Sequence, residues 1–374
     1  MKILFTGGGT GGHIFPIIAV AREIRKIQEE KKLRLFYLGP EDEFASILLS
    51  QEDIKIKKIS AGKLRRYLSL KSIFQNIIDL FIKIPVGILQ SYKYIFFTAP
   101  DLIFSKGGFG SIPGVIAGKL LGTPIFLHES DLAPGLSNRF LGGFAQVIFV
   151  SFPKTEHFRL SKMIQIGNPI RKEIFEVSKK EVKEIIKLVG GKPVILILGG
   201  SQGAQRINDK ILEILPDLLK NFEVIHQVGQ KNLQGVIAES KTVITEDLEK
   251  YYHVFPFFKE HELKQAYGAA DLIVARAGSG TIFEIAALGT PSILIPLPEA
   301  AQDHQVKNAY AYAQTGACQV LEETNFTPRF FLEKLKNLFS NPPELEKMSE
   351  AARKFAKPMA AKEIAQFIVD YLKR

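Results

Sequence analysis

Cysteine is almost missing from this 374-residue chain, in which Cys318 stands alone. One thiol excludes a disulfide framework and any zinc site built on several cysteines, and it fits a reducing compartment. Metal motifs are missing as well: the chain has no His-Glu-x-x-His, no Asp-x-Asp and no clustered His/Cys spacing. A departing diphosphate would then rest on helix N-termini, arginine and lysine instead of a bound cation. No run reaches about 18 uninterrupted apolar residues. The opening Met1–Thr6 leads straight into glycines, without an apolar stretch of secretory length. These absences predict a cytosolic protein, or at most one attached to a membrane surface. Short-period repeats and low-complexity segments are also lacking.

The chain is 46% apolar and long enough for two domains that each bury a core. Its net charge of +10 is unevenly spread. Residues 1–165 hold 22 Lys and Arg against 13 Asp and Glu, and the remainder 27 against 26. Between Lys55 and Lys93 nine basic residues face a single acid, Asp79. Such a stretch suits nucleic acid, anionic lipid or an ordinary solvated face.

Short apolar runs alternate with helical stretches, the pattern of an α/β protein with parallel sheets. Strands are predicted at Lys2–Thr6, Leu33–Leu38, Ile54–Ile59, Leu102–Ser105, Ile125–His128 and Gln146–Val150. The second half predicts Val194–Leu198, Glu223–Gln227, His253–Pro256, Leu272–Ala275, Ser292–Ile295 and Cys318–Leu321. Helices fall at Ile14–Glu30, from about Ser69, at Ile112–Leu121 and at about Ala360–Lys373, the last after Pro358. Both halves open with strand, glycine loop and helix. The expected organisation is two doubly wound Rossmann-like domains facing a central cleft, residues 1–167 and 168–359, with helix 360–374 packing back on the first.

Four glycine turns close predicted strands: residues 7–12, Gly107–Gly110, Gly199–Gly203 and Gly278–Gly280. Ligands of open parallel sheets bind beyond such strand ends, and glycine lets backbone N–H groups and a helix N-terminus approach phosphate. A tight strand-to-helix turn needs glycine anyway, but four of them indicate a phosphate-bearing ligand. Gly7, Gly9 and Gly12 fit G-x-G-x-x-G, yet the second strand ends at Tyr37-Leu38-Gly39 without the acid a nicotinamide site wants. Gly199-x-Ser201-x-Gly203 matches a hydrolase elbow with His304 downstream, but the other half carries an equivalent loop without serine. Ser201 therefore reads as a phosphate ligand. His13 starts the first helix, and Glu129 closes a strand beside it in the cleft. Either can serve as general base, or merely as a helix cap and a satisfied strand-end carboxylate respectively. In Arg276–Glu284, the helix start offers N–H donors and Glu284 can accept ribose hydroxyls.

Residues 63–97 combine Leu70, Ile73, Phe74, Ile77, Phe81, Ile84 and Ile88 at helical spacing with Lys63, Arg65, Arg66, Lys71, Lys83 and Lys93. Lys71, Gln75, Asp79 and Lys83 trace one polar strip. An apolar surface rimmed by cations is what an interfacial helix presents to anionic lipid, and a helix buried on two sides is the other reading. No nucleic-acid-binding module is recognisable.

Taken in order, Gly8–Pro16, Gly107-Gly108-Phe109, His128–Asp131 with Pro134–Asn138, Gly167–Arg171, Gly199–Ala204, Arg276–Glu284 and Asp303-His304-Gln305 with Asn308-Ala309 resemble the MurG family. These bacterial enzymes add N-acetylglucosamine (GlcNAc) to the lipid-linked muramoyl-pentapeptide precursor of peptidoglycan. The resemblance runs almost end to end. It implies a GT-B fold and an inverting, metal-independent hexosyl transfer from UDP-GlcNAc to the C4 hydroxyl of the muramoyl sugar of lipid I, giving lipid II. It implies no cofactor, UDP-GlcNAc being a substrate.

By position, Thr10, Gly11 and Gly12 meet the donor's reacting end and the acceptor diphosphate. Arg171 and Ser201 hold the donor phosphates, and Phe258 holds uracil through its backbone. Ser279, Gly280, Thr281, Ile282, Phe283 and Glu284 cradle diphosphate and ribose, and Gln305 meets the sugar. His13 and Glu129 are the candidates for base. Arg65, Arg66, Ile73, Phe74, Ile77 and Phe81 are expected to contact the membrane, with the protein peripheral on the cytoplasmic side of the bacterial plasma membrane. The expected partners are UDP-GlcNAc, undecaprenyl-linked lipid I, anionic lipid of the cytoplasmic leaflet and cell-wall synthesis proteins, with no nucleic acid. Two departures stand out. Some members read His-Glu-Gln-Asn where this chain has His128-Glu129-Ser130-Asp131, so Asp131 occupies a donor-contact position. His304 stands where some have glutamine.

Competing readings stay testable. A GT-B enzyme with a soluble acceptor would not need liposomes, a dehydrogenase would prefer NAD to UDP, and a lipid-surface module would tolerate substitutions in its glycine loops.

Overall fold

The structure, a computed structural model, describes all residues except 9–10, 29–31, 64, 66–68, 176–185 and 201–202. Thr10, Arg66 and Ser201 thus lie outside the described residues. The chain divides into two compact units, Met1–Arg171 with Pro358–Arg374, and Lys172–Lys357. The division falls at 171/172, not at 167/168, because Gly167–Arg171 is tied into the first unit. His128 Nε2 donates to the Gly167 carbonyl at 3.0 Å, Ser130 Oγ donates to Asn168 Oδ1 at 3.0 Å, and the Arg171 guanidinium lies 4.0 Å from the Phe15 ring centre.

The first unit is a seven-stranded parallel sheet of β1 (Lys2–Gly7), β2 (Arg34–Gly39), β3 (Lys55–Lys58), β4 (Leu102–Gly107), β5 (Ile125–Glu129), β6 (Val147–Val150) and β7 (Met163–Gln165). Its strand order is 3-2-1-4-5-6-7. β1, β4 and β5 are buried along nearly their whole length, as parallel strands covered on both faces must be. Helices α1 (Gly11–Ile27) and α2 (Glu43–Gln51), together with the C-terminal helix Ala360–Lys373, cover one face. α3 (Leu70–Ile78), α4 (Ile84–Thr98), α5 (Ile112–Leu120) and α6 (Leu136–Leu141) follow, with α4 and α5 against the other face. Strand β7 had no counterpart in the sequence reading; it is three residues long, sits at the sheet edge and is only half-buried.

The second unit repeats the plan with six parallel strands, β8 (Val194–Leu198), β9 (Glu223–Gln227), β10 (Tyr252–Phe255), β11 (Leu272–Ala275), β12 (Ser292–Leu294) and β13 (Cys318–Val320). Their order is 10-9-8-11-12-13. Helices α7 (Gln205–Asn221), α8 (Leu233–Val243) and α13 (Pro328–Phe339) lie on one core, and α9 (Glu246–Glu249) follows α8. α10 (Glu260–Ala269), α11 (Ser279–Leu288), α12 (His304–Ala313) and α14 (Pro342–Phe355) lie on the other. Chain direction across the sheet reverses between β1 and β4 in the first unit and between β8 and β11 in the second. Those are the switch points where ligands of doubly wound sheets bind. Helix α15 (Ala360–Lys373) returns to pack along α1, and Tyr371 donates to Gln146 Oε1 at 2.9 Å.

Segment 70–98 is one continuous helix with a single π-turn, Asp79–Lys83, between α3 and α4. Small and polar residues make up much of its inward side, whereas Lys71, Lys83, Gln90 and Lys93 are exposed. Ser72, Asp79, Gly87 and Ser91 are buried. Leu70, Phe74, Phe81, Leu89, Phe96 and Phe97 are each more than 60% exposed. The close approach requires glycine at 87, where a Cβ would sit 1.9 Å from the Ser60 carbonyl oxygen. The extra residue of the π-turn rotates the helix, so Ile84 packs inward although it continues the sequence stripe of Ile77 and Phe81. By length and composition this helix could cross a membrane, the single such helix among the described residues.

Candidate functional site

In the first unit the switch point collects ionisable side chains. β1 ends at Gly7, and the chain enters α1 at Gly11 and Gly12. The His13 ring lies between two glycines. A Cβ on Gly8 would come within 3.1 Å of its Nδ1, and one on Gly108 within 3.0 Å of its Nε2. Burial and the neighbouring Lys106 ammonium push His13 down to about 3, so the ring is neutral.

Glu129 ends β5, 3% exposed, and both its oxygens are engaged. Oε1 accepts from the Asp131 backbone N–H at 2.9 Å and Oε2 from Asn138 Nδ2 at 2.8 Å. Burial and the adjacent Asp131 carboxylate push its pKa up, to about 7. Asn138 leaves no room beside Gly107: a Cβ there would sit 1.9 Å from Asn138 Oδ1, and φ is +83°. Arg171, 5% exposed, is built into this same unit on the Phe15 ring.

Three members of this cluster were not singled out by sequence reasoning: Lys106, Asn138 as the partner of Glu129, and Asn168. Lys106 did leave a signal, a lysine closing an otherwise apolar strand directly before two glycines.

In the second unit the switch point is made largely of backbone. α11 starts at Ser279 behind Gly278, and the first helical bond runs from the Ile282 N–H to the Gly278 carbonyl at 3.0 Å. The N–H groups of Ser279, Gly280 and Thr281 precede that bond and face outward along the helix axis. Ile282 and Phe283 are buried and lie behind these three N–H groups. Glu284 accepts from the Tyr267 hydroxyl at 2.8 Å, which fixes the carboxylate in reach of the helix start. Phe258 is 3% exposed and packs on Phe255 with ring centres 4.7 Å apart. Gln305 Oε1 accepts from Leu297 N at 3.0 Å and His304 Nδ1 meets the Ala301 carbonyl at 2.6 Å. Both side chains therefore shape the loop after β12, in which Gln302 and Asp303 adopt positive φ.

Around these loops Arg206 holds Glu299 through two bonds of 2.9 and 2.8 Å and reaches Glu323 at 2.6 Å, while Arg276 pairs with Glu323 from the other side. The network joins the starts of α7 and α11 to the strand ends of β12 and β13.

On the long helix, Ile73, Phe74, Ile77 and Phe81 are 47–69% exposed. Arg65 differs. Its guanidinium is turned onto buried Asp79 at 2.7 Å, and Asn76 exchanges two hydrogen bonds with its backbone. A carboxylate that is 1% exposed requires a cation, and Arg65 and Lys83 supply it.

Comparison with known proteins gives a consistent picture. Residues 3–150 match the glycosyltransferase family 28 N-terminal domain and residues 194–364 the family 28 C-terminal domain. A Thermoanaerobacter sp. strain X514 relative is 36% identical over 98% of this chain and 99% of its own length. It is named UDP-N-acetylglucosamine–N-acetylmuramyl-(pentapeptide) pyrophosphoryl-undecaprenol N-acetylglucosamine transferase. A Clostridium tetani protein of the same name is 37% identical over 91% of the chain and 90% of its own length. The crystal structure of Acinetobacter baumannii MurG superposes with a TM-score of 0.74 at 27% identity, covering 99% of both chains. A Neisseria meningitidis UDP-GlcNAc 2-epimerase, at 16% identity and a TM-score of 0.68, shares the fold. The two doubly wound units are of the GT-B type, and this chain belongs to glycosyltransferase family 28.

Proposed function

We propose that the chain transfers GlcNAc from UDP-GlcNAc to the C4 hydroxyl of the muramoyl sugar of undecaprenyl-pyrophosphoryl-MurNAc-pentapeptide, with inversion and without a metal. The kinship over nearly the whole chain supports the donor and the reaction class. The observation that favours a lipid-linked acceptor over a soluble one is the helix 70–98. It exposes Phe74, Phe81, Leu89, Phe96 and Phe97 alongside Lys71, Lys83 and Lys93. A helix with that polarity finds its solvent in the acyl boundary of a bilayer. The excess cations between Lys55 and Lys93 favour an anionic leaflet. The protein accordingly works as a peripheral enzyme on the cytoplasmic face of the plasma membrane.

In this reading the second unit binds the nucleotide. The N-terminal N–H groups of α11 meet the diphosphate, Glu284 the ribose, the backbone at Phe258 the uracil, and Gln305 the sugar through its amide. As the acceptor hydroxyl attacks the anomeric carbon, the bond to UDP breaks and its charge falls on Arg171 and the helix N-termini. The hydroxyl proton passes to a group of the first unit. His13 is partly exposed and neutral, so it accepts a hydrogen bond from the hydroxyl. Its affinity for the proton rises once anionic diphosphate near Gly11 and Gly12 offsets the Lys106 charge. Glu129, buried with both oxygens engaged, is the second candidate.

The test is transfer of radiolabelled GlcNAc to a short-chain lipid I analogue in EDTA, comparing the parent protein with His13→Ala and Glu129→Ala. Transfer that only one substitution abolishes assigns the base. A folded protein that binds UDP yet transfers nothing would reject the acceptor.

A further inference from the structure

Strands β1 and β4 pair Thr6 with Ser105 and then Gly7 with Gly107, so Lys106 is the extra residue of a bulge at the switch point. A bulge re-aims a side chain and is common beside active sites. Here it brings in a lysine that is only 3% exposed.

Lys106 Nζ donates to Ser130 Oγ. Because an ammonium can only donate, the serine hydroxyl must point its own proton onward, and it donates to Asn168 Oδ1 at 3.0 Å. Asn168 is 2% exposed, and its orientation is thereby set with the amide nitrogen directed away from Ser130. The chain of bonds joins the end of β4, the end of β5 and the loop that carries Arg171.

The charges around Lys106 come from every neighbouring element. α1 contributes His13, and the end of β5 contributes His128, Glu129 and Asp131, with uncharged Asn138 approaching from α6. Two carboxylates, one of them 3% exposed, would be costly without a cation among them. Burial pushes Lys106 itself down to about 8, with Glu129 and Asp131 pulling the other way, so it remains charged at neutral pH.

We propose that Lys106 is a positioning residue for glycosyl transfer: the bulge delivers one buried cation beside His13 that balances Glu129 and Asp131 and, through Ser130, fixes the amide of Asn168. This rests on the transferase reading above. It also accounts for Ser130 and Asp131, the two departures from the His-Glu-Gln-Asn pattern: serine passes on a lysine's hydrogen bond, and aspartate accompanies its charge.

The experiment uses the full chain with Lys106→Met, Lys106→Arg and Ser130→Ala, measuring transfer kinetics from pH 5.5 to 9.5, thermal unfolding, and the histidine ring titrations by NMR. Lys106→Met should lower kcat at least thirtyfold while KM for UDP-GlcNAc stays within threefold, the mark of an interaction outside donor binding. Losing the cation raises the proton affinity of both His13 and Glu129, and because the Glu129 carboxyl stands at about 7, the acid limb within this range should move up by about one pH unit. Lys106→Arg should restore the limb, and Ser130→Ala should cost about tenfold in kcat without moving it.

Parent-like kcat and limb in Lys106→Met would overturn the proposal. So would a loss that merely tracks Tm, is equal in Lys106→Arg, and leaves the limb in place. If the parent protein transfers no sugar, the transferase reading fails on its own. The His13 titration then decides the role of Lys106: a ring that titrates higher in Lys106→Met supports it, and an unmoved ring refutes it.

Discussion

The same topology produces two different switch points. Between β1 and β4, the first unit buries lysine, glutamate and histidine within hydrogen-bonding networks. Between β8 and β11, the second unit buries Ile282 and Phe283 at the start of α11, whose first N–H groups precede the helical bonds. A diphosphate is anionic throughout its binding and release, and rigid N–H donors serve it without any change of protonation. A hydroxyl that must lose a proton needs groups whose charge can change, and burial tunes those groups. The fold supplies the position, and the side chains at the strand ends decide between holding and reacting.

Breaking the first switch point should have the largest effect. His13→Ala is expected to lower kcat by about 10³-fold, or about 4 kcal/mol, while UDP affinity measured by calorimetry stays within twofold. Equal losses in turnover and UDP binding would erase the distinction between the units. At the second switch point the effect should be smaller and of the opposite kind. A Cβ on Gly278 meets nothing within 4 Å, so Gly278→Val should fold normally. It should weaken UDP binding by about tenfold or more, on the order of 1.4 kcal/mol. Normal UDP binding by this variant would remove the backbone cradle from the argument.

The long helix belongs to the first unit alone, and it sharpens the contrast. Phe74→Ser with Phe81→Ser should cut sedimentation with anionic liposomes by about tenfold, leaving UDP binding by the second unit unchanged.

The smallest expected effect compares histidines buried in each unit. His128 and His226 are both fully buried, and burial lowers both, His226 to about 3. Each is neutral in the folded chain and protonated in the unfolded chain below its ordinary value. Stability should therefore be complete above pH 6.5 and fall as the pH drops, by roughly 1 kcal/mol per pH unit for each histidine. Chemical denaturation at pH 7, 6 and 5 measures this. Replacing either histidine with asparagine should flatten the slope.

The strands of both units were legible because parallel strands buried on two faces are continuous apolar runs, as in Ile3–Phe5 and Val194–Leu198. The edge strand β7 escaped because Met163–Gln165 is short and half-buried. The helix 70–98 was legible as apolar, but its orientation was not. A residue that bonds across a π-turn breaks the 3.6-residue phase, and inward-turned Asp79 is balanced by Lys83 and by Arg65 from the segment before the helix. The glycine turns were legible from their glycines, and each follows a strand as expected. Lys106 and Asn138 were less visible, because their importance comes from a bulge and from a partner on another element.

Helix α15 has a consequence for how the chain is made. Ile364, Ala365 and Ile368 belong to the same core as Ile17, Val20 and Ile24 of α1. On the ribosome, residues 172–357 are synthesised before that helix exists. The second unit can therefore fold while the first still lacks a wall of its core, although the first began emerging earlier. Chains arrested before residue 358 would display the bare side of α1, the kind of apolar surface that chaperones hold. The earliest sheet to be made is the last to be sealed.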